Sequence, residues 1–377
     1  MQKSKNIYMD YAASVVPNPG SIHTLGVEAK AKLEKARKKV ADILGALKES
    51  VVFTSGGTES NNLAIQGMVA SYHENFKNIP HIITTNIEHP SVLETCKMLE
   101  KRKLAKVSVI RVEPNGIVDP KKIKKEIKQN TILVSVMYAN NEIGTIQPIK
   151  DIAKEIRHYK KTKNLNSSFP FFHTDAVQAV NYLDLNVEKL GVDMLSLSSS
   201  KIERGGHVGL LFKKKTVPLV NIFGGGDQEW GLRPGTENLE EIIKFSSALI
   251  SSQKSKEKES KKIKELQNYF LKKLPRDFIV NGDLENRLQN NINITHPKIP
   301  SDLLVIELSA AGVMVSSKSA CKSSDKEGSY VIKAINPKIG SNIGGLRFSF
   351  GKNTKKEDID YVIRVLSKIL FKLKKWY

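Results

Sequence analysis

The order of apolar runs, turns and amphipathic stretches in this sequence predicts an α/β protein: a large doubly wound, mainly parallel sheet followed by a smaller α+β domain. Three observations carry the prediction. Short apolar runs suited to strands buried on both faces alternate with helical stretches from residue 51 to about residue 200. Past Pro275 that alternation gives way to closely spaced strands and helices. Polar and charged residues recur just beyond the apolar runs, at the edge where open α/β sheets bind ligands. The domain boundaries expected are 16–245 for the large domain, with 1–15 and 246–377 forming the small one.

Residues 7–10 read as a short strand entering an Ala-Ala-Ser turn and a proline-rich loop at 17–20. In 24–44 the apolar positions Leu25, Ala29, Leu33, Ala36, Val40 and Ile43 step by three or four, which predicts a helix closed by Gly45. A strand at 51–53 leads through Ser55-Gly56-Gly57-Thr58 into a helix starting near Glu59. Two glycines and a threonine at a helix N-terminus make an anion seat, although any strand-to-helix turn uses glycines. Strands follow at 81–85, 107–112 and 132–137, with helices opening at Pro90 and Asp119-Pro120 and spanning 148–161. Phe171-Phe172 before His173, and Met194 to Leu197 before Ser198, read as two further buried strands. A strand at 207–212 and a glycine-rich loop from Gly224 to Thr236 come next. In the long helical stretch 238–274, the lysine-rich middle at 253–264 is either an exposed helix face bridging to the second domain or a loop. Beyond it the elements are 278–280, 292–295, 303–308, 346–349 and a C-terminal helix over 356–375.

Composition excludes several classes. The chain has 377 residues and a net charge of +21, from 60 basic and 39 acidic residues. The excess is mostly lysine spread over helix-like segments, without an arginine or aromatic pattern, so it reads as a solvated surface and direct nucleic-acid binding is not expected. No apolar run approaches the ~20 residues of a membrane span. The polar start runs straight into residues 7–10, so no signal peptide is expected. Two cysteines rule out a disulfide framework and fit a reducing cytoplasm. Cys96, at helical spacing from Val92 and Leu93, reads as a buried thiol; Cys321 stands among serines and lysines that favour its thiolate. No Cys/His cluster has metal spacing.

The chemistry gathers between His173 and Lys201. Asp175 and Lys201 close two adjacent apolar runs, bringing a carboxylate and an amine to one crevice. That pair suits pyridoxal phosphate (PLP), with the lysine binding the aldehyde and the aspartate pairing with the pyridine nitrogen. A strand-end aspartate beside a solvated lysine is the other reading. His89, just past another strand, is either a site residue or a hydrogen-bonded loop histidine.

Taken together, the segments FTSGGTESNNLAIQG, NIEHPSVLETC, YANNEIGTIQPI, HTDAVQAV, DMLSLSSSK, FGGGDQEWGLRPGTEN, VSSKSACKSSDKEGSYVIKAI and LRFSFG resemble those of the cysteine desulfurases, PLP enzymes of fold type I in the class V aminotransferase family. The resemblance covers nearly the whole chain. It implies that Lys201 binds the cofactor aldehyde, Asp175 pairs with the ring nitrogen, His89 stacks on the ring and Gln178 bonds its phenolic oxygen. Asn141 lies beside cofactor and substrate, while Gly57, Thr58, Ser198, Ser199 and Ser200 hold the phosphate. Thr236 reaches the phosphate of a neighbouring subunit, which implies a homodimer. Arg347 takes the substrate carboxylate, and Cys321, in the loop 316–324 of the small domain, accepts sulfur. The implied activity turns L-cysteine into L-alanine and leaves a persulfide on Cys321 for an acceptor protein, an iron–sulfur scaffold or a thiolation relay.

The sequence departs from the family in four places. Ser200 replaces the histidine usual before the lysine, and residues 202–207 lack the usual Gly-Pro-x-Gly turn. The N-terminal loop is shortened between Ala13 and Asn18, and Lys318 stands where glycine is usual. Selenocysteine lyase, aminotransferase and a weakly active sulfur-delivery scaffold are the alternative functions.

Overall fold

The computed structural model describes residues 7–163, 169–317, 328–340 and 343–376. Helix α1 (Thr24–Leu44) buries Leu33, Ala36 and Val40 as its spacing predicted, and Gly45 ends it in the left-handed conformation at φ 65°, donating its N–H to Ala41 and Asp42 carbonyls. The chain then alternates through β1 (Val51–Thr54), α2 (Gly57–Asn75), β2 (His81–Thr85), α3 (Pro90–Lys101), β3 (Lys106–Ile110), α4 (Pro120–Glu126), β4 (Thr131–Ser135) and α5 (Ile149–Thr162). It continues through β5 (Phe171–Asp175), the single turn α6 (Val187–Leu190), β6 (Met194–Ser198) and β7 (Gly209–Lys213). These seven strands form one sheet in the order β1-β7-β6-β5-β4-β2-β3. β7 runs antiparallel to both its neighbours, and the other pairings are parallel.

Adjacent apolar residues at the middle of the sheet enter different cores, the period of two that a sheet covered on both faces demands. Phe53, Ile83, Val134, Phe172 and Leu195 join the core on the α1 and α5 side. Val52, Ile82, Leu133, Phe171 and Met194 join the one beneath α2 and α3. Two histidines lie within this apolar layer and are bonded across strands. His173 sets one ring nitrogen 2.9 Å from Ser135 Oγ on β4 and the other 2.9 Å from Ser196 Oγ on β6. His81 does the same between Thr131 and Ser108, at 2.8 Å each.

The second layer begins with α7 (Leu239–Lys273), one unbroken helix of 35 residues, so the lysine-rich middle is helix surface. Its first turns put Ile242, Phe245 and Leu249 into the large core, and its last put Ile263, Leu266 and Phe270 into a third core. Around that third core lie β8 (Ile279–Val280), β9 (Asn291–Thr295), α8 (Ser301–Ala310), β10 (Leu346–Ser349) and α10 (Lys356–Leu373), while α9 (Tyr330–Ile335) returns to put Val331, Ile332 and Ile335 into the large core. The three strands form an antiparallel sheet in the order β10-β9-β8. Residues 7–10 are not a strand: no strand among the described residues offers them a ladder, and Ile7 and Met9 are 70% and 89% exposed. Their order comes instead from Tyr8, whose hydroxyl donates to the Ser14 carbonyl at 2.9 Å.

Burial pushes the His173 pKa down to about 3, so folding is favoured by an uncharged ring. That contribution is complete above the ordinary histidine pKa and is lost as pH falls toward 3. The urea midpoint is therefore expected to drop between pH 7 and pH 5. His173→Gln should lower the midpoint at pH 7 and show a shallower acid decline.

Candidate active site

The carboxyl ends of β2, β4, β5 and β6 open onto a cavity of about 450 Å³, closed on the far side by β10. Asp175 is the last residue of β5, and Lys201 lies three residues past β6 in a short 3-10 turn. His89 is the N-cap of α3, and Asn141 follows β4. Arg347 comes from the small sheet. All five line the cavity, together with Gln178.

Asp175 is 5% exposed and each of its carboxylate oxygens accepts a hydrogen bond. Asn61 Nδ2 donates to Oδ2 at 2.7 Å and the Val177 N–H to Oδ1 at 3.0 Å. The His89 ring sits with Nδ1 2.8 Å from Ser91 Oγ, and the Ser91 N–H donates to the same nitrogen at 3.2 Å. Burial lowers the His89 pKa; the Asp175 carboxylate opposes this and the Lys201 ammonium adds to it. Lys201 is held through its backbone, whose carbonyl accepts from Asn181 Nδ2 at 2.6 Å.

The helix after the glycine pair begins where the sequence predicted. α2 starts at Gly57, and a Cβ there would meet Val177 Cγ2 at 2.8 Å, so only glycine lets the helix end approach β5 this closely. Thr58, Ser198 and Ser200 complete the wall, with Ser198 and Ser200 hydroxyls 2.9 Å apart. Ser199 does not face the cavity. Its hydroxyl donates to the Gly206 carbonyl at 2.8 Å and accepts from the Val208 N–H at 2.7 Å, which pins the loop after the lysine. In that loop Arg204 and Gly206 take positive φ, so the chain turns there without the Gly-Pro-x-Gly pattern. Thr236 is exposed and is not part of this cavity's wall.

Arg347 is anchored by Nη1 donating to the Asn141 carbonyl at 2.8 Å and Nη2 to Ser316 Oγ at 3.3 Å. Its Nε is buried without a hydrogen-bond partner among the described residues, as are Asn141 Oδ1 and Asn61 Oδ1. Cys321 and Lys318 lie outside the described residues; the segments before and after them do not. Ser316 pairs with Arg347 through two backbone hydrogen bonds, and Ser329 Oγ donates to the buried Glu142 carboxylate. Tyr330 then donates to the Glu88 carbonyl at 2.6 Å. Cys96 is 1% exposed, and burial pushes its pKa up to about 12.

Sequence reasoning missed Asn61, Glu88, Ser91 and Ser329, and marked Glu142 only as one of three polar residues, with Asn140 and Asn141, past the strand at 132–137. Glu88 is fully buried, accepting from Thr85 Oγ1 at 2.6 Å and from the Met137 N–H at 2.9 and 3.0 Å. Its only signal in sequence was a carboxylate beside His89, which periodicity does not distinguish from a solvated loop acid.

A sheet edge that gathers an amine, a carboxylate, an anion-binding helix end and an arginine is the layout of a fold-type-I transferase. A family model described as aminotransferase class V matches residues 1–362. The chain belongs to the class V aminotransferase family, and relatives that match it almost end to end are cysteine desulfurases. Cysteine desulfurase IscS of Dictyoglomus turgidum is 39% identical, covering 98% of this chain and 96% of its own length. Among solved structures, a NifS-like protein superposes with a TM-score of 0.84 at 33% identity, covering 94% of this chain and 91% of its own. SspA in complex with cysteine gives a TM-score of 0.73 at 30% identity, covering 88% of this chain and 91% of its own.

Two measurements probe the buried carboxylates. Burial raises the Glu88 pKa to about 8, against the hydrogen bonds from Thr85 and Met137 and with the help of Asp175. Stability from the uncharged acid is full below the ordinary carboxylate pKa and is lost as pH rises through 8. Denaturation midpoints of Glu88→Gln should therefore decline less than wild type between pH 5 and 9. Ser329→Ala leaves the Glu142 carboxylate short of a buried donor and should cost about 1–3 kcal/mol in urea unfolding. Ser316→Ala, at a longer and half-buried contact, should cost less.

Proposed function

We propose that this chain is a PLP-dependent cysteine desulfurase that converts L-cysteine to L-alanine and loads the sulfur on Cys321 as a persulfide. The observation that carries the proposal is the convergence of Lys201, Asp175, His89 and Arg347 on one cavity, in a chain whose relatives bear that activity in their names. That SspA binds cysteine supports the choice of substrate.

The residues present fit PLP. A lysine amine meets the aldehyde, Asp175 offers a fixed acceptor to the ring nitrogen, and the start of α2 with Thr58, Ser198 and Ser200 suits a phosphate. Buried polar atoms without partners, Asn61 Oδ1, Asn141 Oδ1 and Arg347 Nε, mark a cavity built around a polar occupant. When bound, PLP supplies the electron sink that lets the substrate Cα lose its proton.

The chain's own groups do the rest. Arg347 offers its guanidinium to the substrate carboxylate, pre-oriented by the Asn141 carbonyl and Ser316. The Lys201 amine takes the Cα proton. The Cys321 thiolate then attacks the substrate sulfur: the Cβ–S bond breaks, an S–S bond forms, a proton is delivered to the departing Cβ, and return of the proton held by Lys201 to Cα completes alanine. A thiol of an acceptor protein later takes the outer sulfur and returns Cys321 to its thiol. Cys96 cannot serve, because only a thiolate attacks and burial keeps this one protonated.

In this reading residues 16–245 form the cofactor domain, while 1–15 and 246–377 supply Arg347 and Cys321. The exposed Thr236 serves the partner's phosphate site in a homodimer. The sulfur goes to an iron–sulfur scaffold or thiolation relay.

Alanine and sulfide formation from cysteine by the PLP-loaded protein tests the proposal. Lys201→Ala should abolish both. Cys321→Ser should keep PLP but lose sulfide release, and Cys96→Ser should stay active. Wild-type sulfide release by Cys321→Ser, or a persulfide mapped by mass spectrometry to Cys96, would sink it.

A further inference from the structure

A continuous line of hydrogen bonds connects Asp175 to His89 through two side chains that have no part in the scheme above. Asn61 is 1% exposed on the first turns of α2, and its Nδ2 donates to Asp175 Oδ2 at 2.7 Å and to Ser91 Oγ at 2.8 Å. Ser91, 8% exposed on the first turn of α3, places the same Oγ 2.8 Å from His89 Nδ1.

The direction of every bond in this line follows from what each atom can do. An amide nitrogen donates and never accepts. Turning the Asn61 amide over would set its carbonyl oxygen against the Asp175 carboxylate, so the observed orientation is the one chemistry permits. Ser91 Oγ therefore accepts from Asn61, and the hydroxyl proton is directed at His89 Nδ1. The Ser91 backbone N–H reaches the same nitrogen at 3.2 Å. Nδ1 is thus an acceptor twice over, and an imidazole nitrogen that accepts carries no proton.

We propose that Asn61 and Ser91 are positioning residues that write the tautomer of His89: its proton is fixed on Nε2, and its ring is tied to the carboxylate of Asp175. The inference deepens the desulfurase reading and rests on it for the part His89 plays against the cofactor. In that setting His89 acts as a proton donor at Nε2, and Nδ1 is closed to exchange by its two donors. Because one amide group serves both partners, a displacement of Asp175 is felt at His89 through a single residue. The charged groups around the ring are Asp175 from β5 and Lys201 from beyond β6; burial and Lys201 both oppose a second proton on the ring, and Asp175 favours one.

Nitrogen NMR of the PLP-loaded protein labelled at histidine reads the tautomer directly, with His89 assigned by the signal missing from His89→Gln. Wild type should show the Nε2–H pattern. Ser91→Ala, which leaves Nδ1 only the backbone donor, should show a mixture of tautomers and take up a second proton at higher pH. Its kcat for sulfide formation should fall by about tenfold or more with KM little changed. Ser91→Thr keeps the hydroxyl and should keep the wild-type pattern, which serves as the test if the alanine variant does not fold. Asn61→Ala, freeing the Ser91 hydroxyl to rotate, should shift the pattern in the same sense as Ser91→Ala. An Nδ1–H signal in wild type overturns the proposal, as does a wild-type pattern in both Ser91→Ala and Asn61→Ala. The spectrum is independent of turnover: Nε2–H histidine in a protein that makes no sulfide would sink the desulfurase reading and leave the relay standing, and active protein with Nδ1–H histidine would do the reverse.

Discussion

A strand buried on both faces has no side for chemistry, so anything reactive must wait until the strand ends. β2, β4, β5 and β6 are buried at every position. Polar side chains within them bond inside the sheet layer, as His173 does to Ser135 and Ser196. Asp175 comes at the end of its strand, and Glu88, His89, Asn141 and Lys201 come after the ends of theirs. Parallel pairing puts those ends on one edge, and the cavity follows from that. The rest of the molecule either covers the sheet or brings a second wall to the same edge.

The junction of the two walls is the loop after β4. Asn140 locks it, accepting from the N–H groups of Glu142 and Ile143 and donating to the Ile87 carbonyl. From this fixed turn the Asn141 carbonyl holds Arg347, the Glu142 carbonyl accepts from Asn293 on β9, and the Glu142 carboxylate accepts from Ser329. Three residues thereby set Arg347 and the segment beginning at Ser329 against the large sheet. A buried carboxylate is a costly way to make such a joint, but its loss of a partner is costlier still, which gives the joint one geometry.

The sheet and its functional edge were legible in the sequence because both obey local rules. Apolar runs of four or five residues bounded by turn residues marked β2, β4, β5 and β6, and Gly45 and Asp119-Pro120 marked helix ends by their backbone requirements. Asp175, Lys201, His89 and Arg347 stood at strand ends or inside strongly patterned segments. What was not legible depends on distance across the chain. Asn61 sits among polar neighbours at a helix start, and nothing local tells that its amide faces a residue 114 positions away. Ser199, flanked by Ser198 and Ser200, is alike in sequence and opposite in direction, because the turn after β6 sends alternate side chains to different sides. Residues 7–10 carry strand-like composition, but a strand also needs a neighbour, and the described residues supply none.

The lone helix α7 belongs to both halves of the molecule, and its length is roughly 50 Å at 1.5 Å per residue. Its N-terminal turns are cemented into the large core and its C-terminal turns into the small one. A beam built in at both ends resists rotation as well as separation. The spacing between the wall that carries Lys201 and the wall that carries Arg347 therefore has two settings, this beam and the joint after β4. The middle of the beam is braced from one side, Ser252 donating to Asn181 Oδ1 and Gln253 and Lys256 to the Val180 and Leu183 carbonyls, so the two walls answer to load as one frame held at two points.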